Sequence, residues 1–231
     1  MTLKLEKLAA SPSATWEQLF ELIEKGDEYA QIVARNPVAD LFLLRMVYKT
    51  IRDEGHTVFA ACTVLHNHNV DSDFISELYS DFPEIHTEED EDYPNENCYP
   101  VLLAKHHATP DELVLKLSDS PYYLVRECLS ARSDLLPAVQ EKLAQDPIRH
   151  VRQILASNPK ICAASLAELA KDEDATIRLK VALNPNAASQ TLQLLESDLV
   201  ELVRIAAQSA NCAIEKLTVN SNGRLGGARD E

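Results

Sequence analysis

Residues Val151–Pro159 read VRQILASNP, and 26 positions later Ile177–Pro185 read IRLKVALNP. Both stretches place an apolar residue before an arginine, a second apolar residue four positions after the first, and Asn-Pro at the end. Stepping by 26 from Tyr99 lands on Val125, Val151, Ile177 and Val203, and four of these five are followed by Arg126, Arg152, Arg178 and Arg204. Four positions after each start stand Leu103, Leu129, Leu155, Val181 and Ala207. Apolar residues at i and i+4 form one stripe of a helix.

The residues ahead of these helices repeat as well: Ser120, Asp146, Asp172 and Asp198. Their side-chain oxygens suit an N-cap, and Pro121 and Pro147 suit the first helical position, where a missing N–H costs nothing. First helices are therefore expected over roughly 121–131, 147–157, 173–183 and 199–209. Asn36-Pro37, Asn158-Pro159 and Asn184-Pro185 stop them, because a proline ring pushes the preceding residue out of the α region. A second, shorter helix follows at once, with core residues Val114 and Leu117, Val139 and Leu143, Leu166 and Leu169, Leu192 and Leu195. Thr109-Pro110-Asp111-Glu112 reads as a capping box.

One helix pair cannot bury its own stripe, whereas stacked pairs can. The expected fold is all-α, a right-handed α-solenoid of about seven 26-residue two-helix repeats. Tyr29–Pro37 (YAQIVARNP) and Ala60–His68 (AACTVLHNH) continue the register toward the N-terminus less regularly. Residues 1–28 are expected as a capping half repeat, 29–219 as the repeat array with an acidic insertion at 80–98, and the Gly-rich stretch 220–231 as a disordered tail.

The units VRQILASNPKICAASLAEL and IRLKVALNPNAASQTLQLL resemble the leucine-rich repeat variant family, a branch of the armadillo/HEAT-like helical solenoids. The resemblance is specific over residues 99–217 and weaker over 8–98. It implies a helix paired with a shorter, sometimes 3₁₀, helix, and a scaffold rather than an enzyme. The family's iron–sulfur cysteines precede the repeats. Here no cysteine precedes Cys62, so neither an iron–sulfur centre nor any other cofactor is expected.

The net charge of −15 repels phosphate backbones and favours a basic protein partner. Much of it lies in EIHTEEDEDYPNEN, residues 84–97. Five cysteines with no CxxC spacing read as reduced thiols of a cytoplasmic protein. Neither a secretory signal nor a run of 18 apolar residues is present, so no membrane association is expected.

Two features stand out as partner-binding residues. Asp81, Glu88, Glu89, Asp90, Glu91 and Asp92 form a charge run that can dock a basic protein, with Tyr93 and Tyr99 as aromatic anchors, or can be a solvated loop. The column Arg126, Arg152, Arg178 and Arg204 can grip carboxylates or phosphates; alternatively each arginine pairs with an acidic residue at a neighbouring helix end, such as Asp146, Asp172 or Asp198. His66, His68, His106 and His107 fall at corresponding turns of adjacent units, where they are ordinary turn residues or, with carboxylates of the insertion, ligands for Zn²⁺ or Ni²⁺; no metal site is assigned, since no spacing matches a metal motif. Cys128 reads as a small buried apolar residue. The expected function is a non-catalytic protein-binding scaffold. The rival is a HEAT-like DNA-repair glycosylase type of enzyme, which the acidity disfavours.

Overall fold

The computed structural model describes residues 2–83 and 97–223. Among these residues all regular structure is helical, fifteen helices with no strand. They fall into two compact units, residues 1–128 and 129–231, with the division inside one helix.

The first unit holds α1 (Thr2–Ala9), α2 (Trp16–Ile23), α3 (Asp27–Ala34), α4 (Leu41–Asp53), α5 (Thr57–Val64), α6 (Ser72–Asp81), α7 (Tyr99–Lys105) and α8 (Asp111–Leu117). α9 (Tyr123–Ser130) spans the division. The second unit holds α10 (Pro137–Ala144), α11 (Arg149–Ser157), α12 (Ala163–Leu169), α13 (Ala175–Leu183), α14 (Ser189–Leu195) and α15 (Glu201–Gly223). In the first unit α1, α3, α5 and α7 pack one on the next, and in the second α11, α13 and α15 do the same. The alternate helices form a second row, in which α2 meets α4 and α10 meets α12.

The 26-residue stripe is the core. Val125, Leu129, Val151, Leu155, Ile177, Val181, Val203 and Ala207 have no exposed surface, and the paired second-helix leucines and valines are buried with them. Asn158 and Asn184 end α11 and α13 in extended conformation (ψ 120 and 130), as the following prolines require.

Four expectations need correction. The helices α9, α11 and α13 begin at Tyr123, Arg149 and Ala175, so Ser120, Asp146 and Asp172 do not cap them, and Pro121 and Pro147 are not first helical residues. Instead Asp146 Oδ1 accepts from Ile148 N at 2.8 Å and Asp172 Oδ1 from Asp174 N at 2.9 Å, closing a local turn ahead of each helix. Thr109 builds no capping box: its hydroxyl donates to Leu103 O at 2.6 Å, and the helix start at Asp111 has no side-chain cap. A capping box is formed instead at Thr15 and Gln18. Residues 1–28 hold two helices rather than a half unit.

The fourth correction is α15, which runs 23 residues to Gly223 instead of stopping near 209. Seven positions after Val203 stands Ala210, and the next residues are Asn211 and Cys212. No proline follows, so nothing forces the backbone out of the α region. Asn220–Gly223, expected in a disordered tail, belong to this helix.

Candidate interaction surface

The turns between first and second helices are tied together by asparagine side chains. Asn36 Nδ2 donates to Ala9 O at 2.7 Å and Ser11 O at 2.9 Å, while its Oδ1 accepts from Val38 N at 2.9 Å. Asn67 repeats the arrangement on Ala34 O and Asn36 O, and its Oδ1 takes Asn69 N. In the second unit Asn158 donates to Ser130 O and Arg132 O, and Asn184 to Ala156 O and Asn158 O. Each asparagine therefore clamps two carbonyls of the preceding turn and folds its own turn with the remaining atom. One planar amide satisfies three backbone groups that would otherwise be buried unpaired. His106 holds the equivalent position with an imidazole. Its Nε2 donates to Asn67 O at 3.1 Å and its Nδ1 accepts from Ala108 N at 3.2 Å, which fixes the neutral tautomer. The sequence reading takes Asn36, Asn158 and Asn184 only as helix stops, although the recurring Asn itself is the signal for the clamp.

The arginine column forms a second ladder. Arg152 Nε and Nη2 fork onto the Asp172 carboxylate at 2.7 and 3.3 Å, and Nη1 donates to Asp146 O. Arg178 forks onto Asp198 at 2.6 and 2.9 Å, and its Nη1 takes Asp172 O. Arg204 donates to Asp198 O and Leu199 O, and Arg126 to Ser120 O and Pro121 O. The Arg152–Asp172 and Arg178–Asp198 forks are the neighbour-pairing contacts weighed against the gripping role. Both of these pairs are mostly buried, with side-chain exposures of 12% and 5% for Arg152–Asp172. Arg178 beside Asp198 holds that carboxyl below its usual range. Forked guanidiniums and doubly bonded carboxylates make a rigid connection between successive helices.

The other sequence candidates scatter. Glu88, Glu89, Asp90, Glu91, Asp92 and Tyr93 lie outside the described residues. Asp81 closes α6 and accepts from Tyr48 Oη and Arg52 Nη1. Tyr99 is not an exposed anchor: it is 3% exposed, and its apolar place at the start of the α7 stripe explains why. His68 and His107 lie 5.9 Å apart by ring centroid, and His107 stacks on His106 at 4.8 Å, so two adjacent turns do bring these histidines together. His66 Nδ1 donates to Cys62 O. Among the described residues no three His, Cys, Asp or Glu side chains are placed to hold a metal ion. Cys128 is half-buried rather than fully enclosed.

Two surface features escaped the sequence. A cleft of about 560 Å³ opens beside α3 and α5, lined by Arg35, Phe59, Cys62, His66 and Cys98 among others. Burial pushes the Cys62 thiol up to about 12. On α2 and α4, exposed Trp16 and Phe42 and half-buried Phe20 form an aromatic cluster. Single exposed aromatics carry little meaning in a sequence; only the packing of α2 on α4 makes them one surface. No helix among the described residues is long and apolar enough to cross a membrane. No family model, curated protein or solved structure matches the chain.

Proposed function

We propose that this chain is a non-catalytic scaffold that holds a basic protein partner. In this reading the helix pairs build a right-handed solenoid of about seven repeats, of the kind the leucine-rich repeat variant resemblance implies. The chain works in the cytoplasm without a cofactor.

The observation that carries the reading is how the polar side chains are spent. Asparagine side chains in both units, and paired Arg–Asp side chains in the second, tie successive helix layers together, and the excess charge of −15 is left to carboxylates. A stack of layers with fixed spacing presents side chains at regular intervals, which suits recognition of an extended partner. The acidic surface steers a basic one toward it. Arg152 and Arg178 meet carboxylates of their own chain, which weakens the rival reading in which the column grips a phosphate backbone.

Glu88, Glu89, Asp90, Glu91, Asp92 and Tyr93 supply the docking segment in this proposal. The experiment is affinity purification from the native cell with the full chain and with residues 84–97 deleted. The deletion leaves helical content and melting unchanged and abolishes capture. Equal capture by both chains overturns the role of the segment, and capture of nucleic acid instead of protein overturns the scaffold.

A further inference from the structure

Aromatic rings along the second-row helices of the first unit carry cations from the chain itself. The Arg45 guanidinium lies 4.6 Å from the Phe74 ring centre, Arg52 lies 5.4 Å from that of Tyr48, and the Lys116 ammonium lies 5.0 Å from that of Tyr79. The cluster at the start of this row differs. Trp16 stacks on Phe20 with centroids 5.2 Å apart and tilts against Phe42 at 5.8 Å. Trp16 and Phe42 are 39% and 55% exposed. Among the described residues no cation stands over any of these three rings.

The surroundings are acidic. Residues 15–28 carry five carboxylates (Glu17, Glu21, Glu24, Asp27 and Glu28) against the single Lys25, whose ammonium is turned onto Glu21 O at 3.1 Å. Glu17, Glu21 and Glu24 are exposed, and Glu17 and Glu24, three and four positions from Phe20, share its face of α2, while Glu21 lies further round the helix from Trp16. An aromatic face is electron-rich, and tryptophan attracts cations most strongly. A flat, weakly hydrated guanidinium covers such a face while donating to carboxylates at its edge, which a compact ammonium does less well.

We propose that the Trp16–Phe20–Phe42 cluster is the docking site for an arginine of a basic protein segment. The guanidinium stacks on the exposed rings, and the α2 carboxylates supply the complementary charge. This rests on the scaffold reading and names the side chain that the partner inserts.

Trp16 is the only tryptophan, so its emission reports the site directly. The probe is a nine-residue Gly-Ser peptide bearing three arginines, compared with the same peptide bearing citrulline, which keeps the planar shape and removes the charge. Measurements use the full chain at about 0.15 M salt, where weak long-range attraction is screened. The arginine peptide changes Trp16 emission saturably, and citrulline removes the response. Phe42→Ala weakens binding roughly five- to twentyfold, the span of one lost ring contact. The double variant Glu17→Gln/Glu24→Gln also weakens it, and deletion of 84–97 does not. Equal binding of the citrulline peptide, an unaffected Phe42→Ala, or no emission change overturns the assignment. So does an emission shift on raising protein concentration alone, which gives the cluster to a second copy of the chain, or one produced only by neutral lipid vesicles. Binding lost on deleting 84–97 but intact in Phe42→Ala sinks this site and leaves the scaffold reading standing.

Discussion

Replacing Asn184 by alanine removes three hydrogen bonds at one stroke, two of them buried. Its Nδ2 donates to Ala156 O and Asn158 O, both at 2.9 Å, and its Oδ1 accepts from Asn186 N at 2.9 Å. The residue is 6% exposed, so water replaces these partners poorly. At about 1 kcal/mol per bond, with a further penalty for groups left unpaired, the cost is about 3 kcal/mol. A whole domain has only about 5–15 kcal/mol to lose. With a urea dependence of about 2 kcal/mol per molar, the unfolding midpoint of the second unit falls by about 1.5 M. The comparison is Asn186→Ala, whose Nδ2 bonds to Pro159 O and Ile161 O lie at the exposed end of the same turn and cost about 1 kcal/mol or less. The assay is urea titration by far-UV circular dichroism, because Trp16 sits in the first unit and its emission follows the wrong part of the chain. If Asn184→Ala shifts the midpoint no more than Asn186→Ala does, the clamp is ornamental and the reasoning fails.

Three further outcomes follow from the same geometry. Asp198 is held below its usual carboxylate range by Arg178, so the pair contributes stability that is present above about pH 4 and is lost as pH falls through the lowered folded value. Asp198→Asn should therefore flatten the acid limb of the stability–pH profile, and an unchanged limb contradicts the pairing. Cys212→Pro restores the break that α15 lacks, at a cost of about 3 kcal/mol to the helix, and hydrogen exchange should show protection lost beyond Asn211 while α13 and α14 keep theirs. Cys212 is exposed whereas Cys62 is half-buried and burial raises its thiol, so a mass-resolved alkylation at pH 8 should label Cys212 first and Cys62 much more slowly.

Much of the helical arrangement was readable because two physical periods coincide. Val151, Leu155, Ile177 and Val181 obey the helical spacing within a unit and the 26-residue spacing between units, and both demands are met by burial. The stops were readable because Asn158-Pro159 and Asn184-Pro185 act locally. The starts were misread for a physical reason. An aspartate can accept from its own chain two residues on as easily as it can cap a helix, and Asp146 and Asp172 do the former while Asp172 also takes an arginine. The far end of α15 does not follow the register, because past Val203 the chain lacks the proline that ends α11 and α13. The aromatic cluster was invisible in sequence: Trp16 and Phe42 are 26 residues apart but stand at the starts of two second-row helices, and only the contact of α2 with α4 joins them.

The asparagine clamp between successive turns is what holds the helix layers in register. Side-chain amide exchange by nuclear magnetic resonance reads it at Asn36, Asn67, Asn158 and Asn184. All four NH₂ groups should exchange slowly and show scalar coupling across hydrogen bonds to carbonyls of the preceding turn, such as Ala156 and Asn158 for Asn184. Exchange as fast as at an exposed asparagine, with no such coupling, would contradict it.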